Sequence, residues 1–138
     1  IITARSGDVK RVLRLLESGA NVNAVDSKGN SALMEAAFFK YPELVKALLE
    51  KGADPTIMNK AGDTALSEAI RVGDVGIVRL LLLRFSHSDL KKNLVSLYKS
   101  LVEASAYGNT EVVNLVRERL SEAGLEYPKK TQHPAATT

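Results

Sequence analysis

Residues 26–33 read DSKGNSAL, and residues 59–66, one period of 33 residues later, read NKAGDTAL. The glycine, the hydroxyl residue and the Ala-Leu pair keep their places in both copies. A period of this length is typical of chains built from one repeated supersecondary unit, in which each copy buries its apolar face on the next. The two stretches therefore predict a solenoid whose function lies on the surface that the stack displays.

The same register extends along most of the chain. Apolar residues of a second helix return after one period: Val45 as Val78, Leu48 as Leu81 and Leu49 as Leu82. An earlier copy contributes Val12, Leu15, Leu16 and Gly19, and a later copy contributes Leu101, Ala104, Gly108 and Val113. The register predicts one repeat domain over 1–127, with repeats at about 1–25, 26–58, 59–91 and 92–127. Residues 128–138, rich in Pro and Thr, are predicted to form a flexible tail, or a short peptide ligand for a partner.

Two motifs make this pattern recognisable. Residues 31–37 (SALMEAA) and 64–69 (TALSEA) resemble the T-P-L-H-x-A core of ankyrin repeats, and residues 48–55 (LLEKGADP) resemble the end of such a repeat. The chain departs from the family at Ala32 and Ala65, where proline is usual, and at Met34, Ser67 and Val102, where histidine is usual. The resemblance implies an all-α solenoid of about 3.5–4 helix-turn-helix repeats with β-turn fingers, capped at both ends.

Local signals predict where the helices begin. Ser31 and Thr64 precede Ala-Leu and are expected to cap inner helices with their hydroxyl groups. Outer helices are expected to restart after glycine at Asp8, Asp74 and Asn109, and at Pro42, which suits the first helical position. Ile1 is expected to lie inside the first inner helix.

The ends and the last repeat junction differ from the middle of the chain. Arg11, Arg14 and Arg117 stand where the middle repeats place apolar residues, which predicts capping repeats. At the junction, Phe85-Ser86-His87 replaces Gly52-Ala53-Asp54. An apolar run then follows at helical spacing: Leu90, Leu94, Leu97, Leu101 and Val102. We expect a lengthened last inner helix capped by Ser88, serving as a C-terminal cap or, alternatively, as a docking surface.

Composition restricts the classes of function. The 19 Lys and Arg against 16 Asp and Glu give a net charge of +3 with both signs mixed, which disfavours nucleic-acid binding. No stretch reaches the roughly 18 apolar residues of a membrane span, so no membrane contact is expected. Cysteine is absent. A cytoplasmic monomer is expected outside its complex, although the start at Ile1 leaves a cleaved N-terminal signal as an alternative.

Catalytic chemistry has few candidate residues. His87 and His133 are the only histidines and lie far apart in the chain, and no nucleophile motif or phosphate loop is present. Neither an enzyme nor a cofactor is expected. Glu35, Glu68 and Glu103 share one register and form an acidic row. We expect these charges to stabilise the first turns of the inner helices, near the positive end of the helix dipole. The alternative roles are a metal site and partner recognition.

The aromatic residues indicate where a partner could bind. Phe38, Phe39 and Tyr41 fall within four residues, and the resemblance implies that positions 38 and 39 face a concave groove. Aromatic and Arg side chains are enriched in binding hot spots. The alternative is that one Phe belongs to the core and Tyr41 packs a helix end. With the finger residues, the expected partner-binding set is Arg5, Ser27, Lys28, Asn30, Phe38, Phe39, Lys60, Asp63, Arg71, Val72 and Tyr107.

The sequence thus predicts a non-catalytic protein–protein interaction module, of the adaptor or scaffold kind, that binds a folded protein through its concave groove and finger tips. An inhibitory or immunity-type protein that blocks an enzyme would use the same surface and stays open. A third hypothesis, nucleic-acid binding through Arg5, Arg11, Arg14 and Arg71, is disfavoured by the interleaved acidic residues.

Overall fold

The computed structural model describes residues 8–125. These residues form helices at Val9–Glu17 (α1), Ala32–Phe38 (α2), Pro42–Glu50 (α3), Ala65–Val72 (α4), Val75–Leu82 (α5), His87–Lys92 (α6), Leu94–Ala106 (α7) and Thr110–Glu122 (α8). Extended pairing within this part of the chain is an isolated antiparallel bridge between Val25 and Ser31. The predictions made for Ile1 and for residues 128–138 lie outside the described residues.

The helices pack in two layers. The inner helices α2, α4 and α7 contact one another in chain order, and the outer helices α1, α3, α5 and α8 do the same. Each inner helix also packs on the outer helix that follows it, giving the pairs α2–α3, α4–α5 and α7–α8. This arrangement confirms the all-α solenoid of about four repeats.

The core repeats with the same period as the sequence. Leu33, Leu66 and Leu101 are buried on the three inner helices, and Leu48 and Leu81 are buried on the outer helices. On these three helices a second shared position is a fully buried alanine: Ala36, Ala69 and Ala104. Because the distance between packed helices depends on the side chains at their contact, alanine here lets neighbouring helices approach closely.

Most predicted helix starts are confirmed. The hydroxyl of Ser31 accepts a hydrogen bond from the Met34 amide at 3.2 Å, and that of Thr64 accepts one from the Ser67 amide at 3.3 Å. Asp8 and Asp74 cap α1 and α5 in the same way, and Pro42 occupies the first turn of α3. These contacts satisfy amides that the helix itself leaves unpaired.

Asn109 is the exception among the predicted caps. It precedes α8, but its side chain makes no capping hydrogen bond. Instead its amide lies against Gly73, where an added Cβ atom would be 2.5 Å from Asn109 Nδ2. Gly73 also has φ +77°, a conformation that L side chains rarely adopt, so glycine is strongly favoured at this contact between repeats.

The last junction corrects one expectation. The last inner helix, α7, is indeed long, with 13 residues against 7 in α2 and 8 in α4. However, Ser88 is not its cap, because a separate helix, α6, precedes it and begins after Ser86. Ser86 and Asp89 cap each other reciprocally, at 3.0 Å and 3.1 Å, which fixes the start of α6 two residues early.

In the first and last repeats, the arginines that replace apolar residues are exposed to solvent. Arg11, Arg14 and Arg117 are exposed, as expected for these positions. Val102, placed in the apolar run by the sequence, is 58% exposed rather than buried. It occupies the register of Met34 and Ser67, which are buried. None of the helices in residues 8–125 is both long and apolar enough to cross a membrane.

Candidate protein-binding groove

The two fingers are the turns at residues 26–30 and 59–63, and they share one hydrogen-bonding pattern. The Asp26 carboxylate accepts hydrogen bonds from the amides of Asn30 and Lys28, each at 2.9 Å. These backbone donors hold the pKa of Asp26 below its ordinary value. One period later, the side-chain oxygen of Asn59 accepts from two amides in the same manner, at 2.9 Å and 3.0 Å. A glycine with positive φ, Gly29 or Gly62, completes each turn.

The fingers are also joined to each other. The Lys60 amide donates to the Lys28 carbonyl at 3.0 Å, and Asn59 Nδ2 donates to Asn30 Oδ1 at 2.9 Å. Gly29 allows this approach, since a Cβ atom there would lie 3.1 Å from Asn59 Cα. The spacing of the two finger tips is therefore fixed by hydrogen bonds, and the tips form a defined edge beside the inner helices.

The aromatic residues lie at the surface where α2 ends. Phe38 is 45% exposed and Phe39 is 41% exposed, and their rings meet edge to face with centroids 5.1 Å apart. Phe39 also stacks on the partly buried Tyr41, with centroids 6.2 Å apart. The alternative interpretation, in which one Phe belongs to the core, is therefore wrong.

A pocket lies between the first finger and the end of α2. Its volume is about 300 Å³, and it is lined by Lys28, Asn30, Met34, Glu35, Phe38, Phe39 and Glu68. We refer to it as the groove pocket. It brings together four residues of the expected binding set, from the finger and from α2, together with two glutamates of the acidic row. Met34 was not anticipated as a lining residue, because the sequence places it only in the repeat motif.

Arg71 is engaged within the chain. Its guanidinium contacts Glu68, Asp63 at 2.9 Å and Glu103 at 2.8 Å, and its side chain is only 24% exposed. These contacts join the second finger, α4 and α7. Asp63 is correspondingly buried, at 7% exposure, so the expectation of an exposed finger residue is corrected at this position. A partly desolvated guanidinium needs such acceptors, and the three carboxylates supply them.

Burial and neighbouring charges shift the pKa values of two members of the cluster formed by Arg71, Asp63, Glu68 and Glu103. Burial raises the pKa of Glu68 above its ordinary value, because desolvation outweighs the attraction of Arg71. Desolvation opposes the charge of Arg71 too, but its carboxylate partners outweigh that effect and raise its pKa. Two members of the acidic row, Glu68 and Glu103, thus belong to a charge network between repeats. Within residues 8–125, no group of three or more His, Asp or Glu side chains could hold a metal ion.

The remaining expected binding residues are dispersed. Ser27 and Lys60 are exposed at the finger tips, and Val72 is partly buried at the end of α4. Tyr107 is 78% exposed after α7. Arg5 lies outside the described residues, as does His133, whereas His87 is exposed at the start of α6.

Sequence reasoning missed a strained residue beside the aromatic pair. Lys40 has φ +61°, the left-handed conformation, at the turn between α2 and α3. The equivalent residues of the next two repeats are Gly73 and Gly108, with φ +77° and +79°. The signal was present in the register, where a lysine replaces a recurrent glycine. Strain of this kind is often retained at functional sites.

The paired helices, the joined fingers and the open groove define a helix-turn-helix repeat protein of the kind that displays a binding surface. A family model described as "Ankyrin repeats (3 copies)" matches residues 1–59, and one described as "Ankyrin repeat" matches residues 61–93. The chain belongs to the ankyrin repeat family. Proteins of this family generally act as protein–protein interaction modules. A comparison with curated proteins finds no match to this sequence.

Proposed function

We propose that this chain is a non-catalytic interaction module that binds a folded protein partner through the groove beside its finger tips. The observation that carries the proposal is the exposed pair Phe38 and Phe39 at the rim of the groove pocket. Large apolar side chains that are adjacent and exposed on a rigid helix end are typical of interaction surfaces.

The surroundings of the aromatic pair support this role. The finger tips are fixed by hydrogen bonds between repeats, so a partner meets a surface that needs little ordering on binding. Lys28 lines the pocket together with the aromatic pair, and the exposed Lys60 lies on the neighbouring finger, where its amide donates to the Lys28 carbonyl. Affinity would then come from burial of the two phenyl rings, and orientation from the flanking charges.

Binding by single-site variants tests the proposal. The partner is first isolated by affinity capture, purified, and titrated calorimetrically with the full chain. Phe38→Ala and Phe39→Ala are each expected to weaken binding, and at least one by about 30-fold, because central aromatic residues contribute on the order of 2 kcal/mol. If the partner is an enzyme whose activity falls on titration, the inhibitory role is supported over the adaptor role.

Lys46→Ala is the matched control. Lys46 is half-exposed on α3, on the outer layer, where it pairs with Glu43. Its replacement should leave affinity unchanged. Normal affinity of both Phe variants, together with loss of affinity in Lys46→Ala, would place the interface on the outer layer and reject the groove.

A further inference from the structure

We propose that the groove pocket receives a lysine or arginine side chain of the partner. This inference deepens the proposed function and rests on it. The shape of the pocket is the first reason. Ligand pockets usually measure about 300–1,000 Å³, so a volume of about 300 Å³ suits one long side chain. Phe38 and Phe39 form an aromatic wall against which an aliphatic stem can pack.

The charge of the lining is the second reason. Glu35 and Glu68 present two carboxylates, and Lys28 presents one ammonium group, so the lining has an excess of negative charge. The nearby cation does not remove this excess. Arg71 contacts Glu68, but it also contacts Asp63 and Glu103, so one guanidinium serves three carboxylates. A cationic occupant would complement the lining.

Filling the pocket removes water from its carboxylates, and this cost favours a cationic occupant over an apolar or anionic one. The Glu68 side chain is 13% exposed, and any group that fills the pocket removes more of the water around it and around Glu35. An apolar occupant would remove water from the lining without adding any attraction to its carboxylates, and an anionic occupant would add repulsion. A cation compensates the carboxylates directly. The aromatic faces add a further attraction, since Arg and Lys head groups bind over phenyl rings.

The test uses small probes on the whole chain, so that it needs no partner. n-Butylammonium and n-butylguanidinium imitate the two side chains, and butanoate and n-butanol share the same stem without the positive charge. Each probe is titrated at constant ionic strength while the backbone amide signals of Glu35, Phe38 and Phe39 are followed by NMR. We expect saturable shifts with the cations, and at least threefold weaker binding of butanoate and butanol.

Variants then assign the binding to the groove pocket. Glu35→Gln and Phe39→Leu should each weaken butylammonium binding at least threefold, whereas Lys28→Ala should strengthen it because a like charge is removed. Glu43→Gln, on α3 and outside the pocket, is the matched control and should change nothing. The thermal midpoint of each variant confirms that it is folded.

Three results would overturn the inference: no saturable shift with either cation, equal binding of butanoate or butanol, or equal loss in Glu43→Gln. These results are distinguishable from failure of the proposed function. If the captured partner still requires Phe38 and Phe39 while the probes show no preference for positive charge, the groove is the interface but does not recognise a basic side chain.

Discussion

The ends of α2 and α4 occupy the same place in successive repeats and have opposite surroundings. Phe38 is the register mate of Arg71. Phe38 lies 45% exposed at the rim of a pocket, whereas Arg71 is held by three carboxylates from its own chain. One register position holds an exposed aromatic ring in one repeat and an internal ion partner in the next. Repetition of the scaffold therefore does not imply repetition of the role.

The turns that follow these two helices differ in backbone strain. After α4, Gly73 takes the left-handed conformation without strain and contacts Asn109 of the next repeat. After α2, Lys40 takes that conformation with a side chain, at an energetic cost. The turn after α2 therefore stores backbone strain that the turn after α4 avoids.

The largest effect should come from the core that both repeats share. Leu48→Ala is expected to lower the free energy of unfolding by about 3 kcal/mol, because Leu48 is fully buried between stacked helices and truncation leaves a cavity. Denaturant unfolding measures the loss. Leu83→Ala, at the residue that follows α5, is the control and should cost little, because Leu83 is 82% exposed. A loss under about half a kcal/mol at Leu48 would contradict its place in the core.

Substitutions at the ends of α2 and α4 should differ in how much they lower the free energy of unfolding. Arg71→Ala is expected to cost about 2 kcal/mol at pH 7, because it leaves three carboxylates close together and partly desolvated. Phe38→Ala, the register mate, should cost less than half as much. An equal or larger loss in Phe38→Ala would show that the end of α2 is structural too.

The Arg71→Ala effect should depend on pH with a defined sign. The pKa of Glu68 is already raised by burial, so the folded state binds protons more readily than the unfolded state. The stability that protonation of Glu68 contributes is therefore lost as pH rises from the pKa of the unfolded carboxyl through the raised pKa of the folded one. Removal of Arg71 takes away an attractive charge and raises the pKa of Glu68 further. The loss caused by Arg71→Ala should accordingly shrink when unfolding is measured near pH 5 instead of pH 7. A pH-independent loss would argue against carboxylate repulsion as its cause.

The smallest expected effect has the opposite sign. Lys40→Gly should raise the free energy of unfolding by about 1 kcal/mol, because glycine adopts φ +61° without the Cβ clash. Thermal or denaturant unfolding measures the gain, and Lys51→Gly, at the end of α3 with negative φ, is the control that should not stabilise. A loss of stability in Lys40→Gly would show that the lysine side chain makes contacts that outweigh the strain.

Several features of the groove region followed from the sequence. The family resemblance indicated the fingers that contain Gly29 and Gly62. Ser31 and Thr64 indicated where the inner helices begin, because cap chemistry depends on residues within a few positions of one another. The position of Phe38 and Phe39 on the groove came from the family resemblance, and their exposure agrees with it. Which of these residues contact a partner stays a prediction.

The 33-residue period, the buried leucines and most of the caps were determined by the sequence itself, since each depends on local chemistry or on a pattern that recurs at a fixed interval. The tertiary structure alone decided that Arg71 is an internal ion partner, that Asp63 is buried, and that Glu35 and Glu68 share a pocket with the Phe pair. The physical reason is that these contacts join side chains from a finger and from two or three different helices. Whether long charged side chains converge there depends on the distances between packed elements, which no interval along the chain specifies.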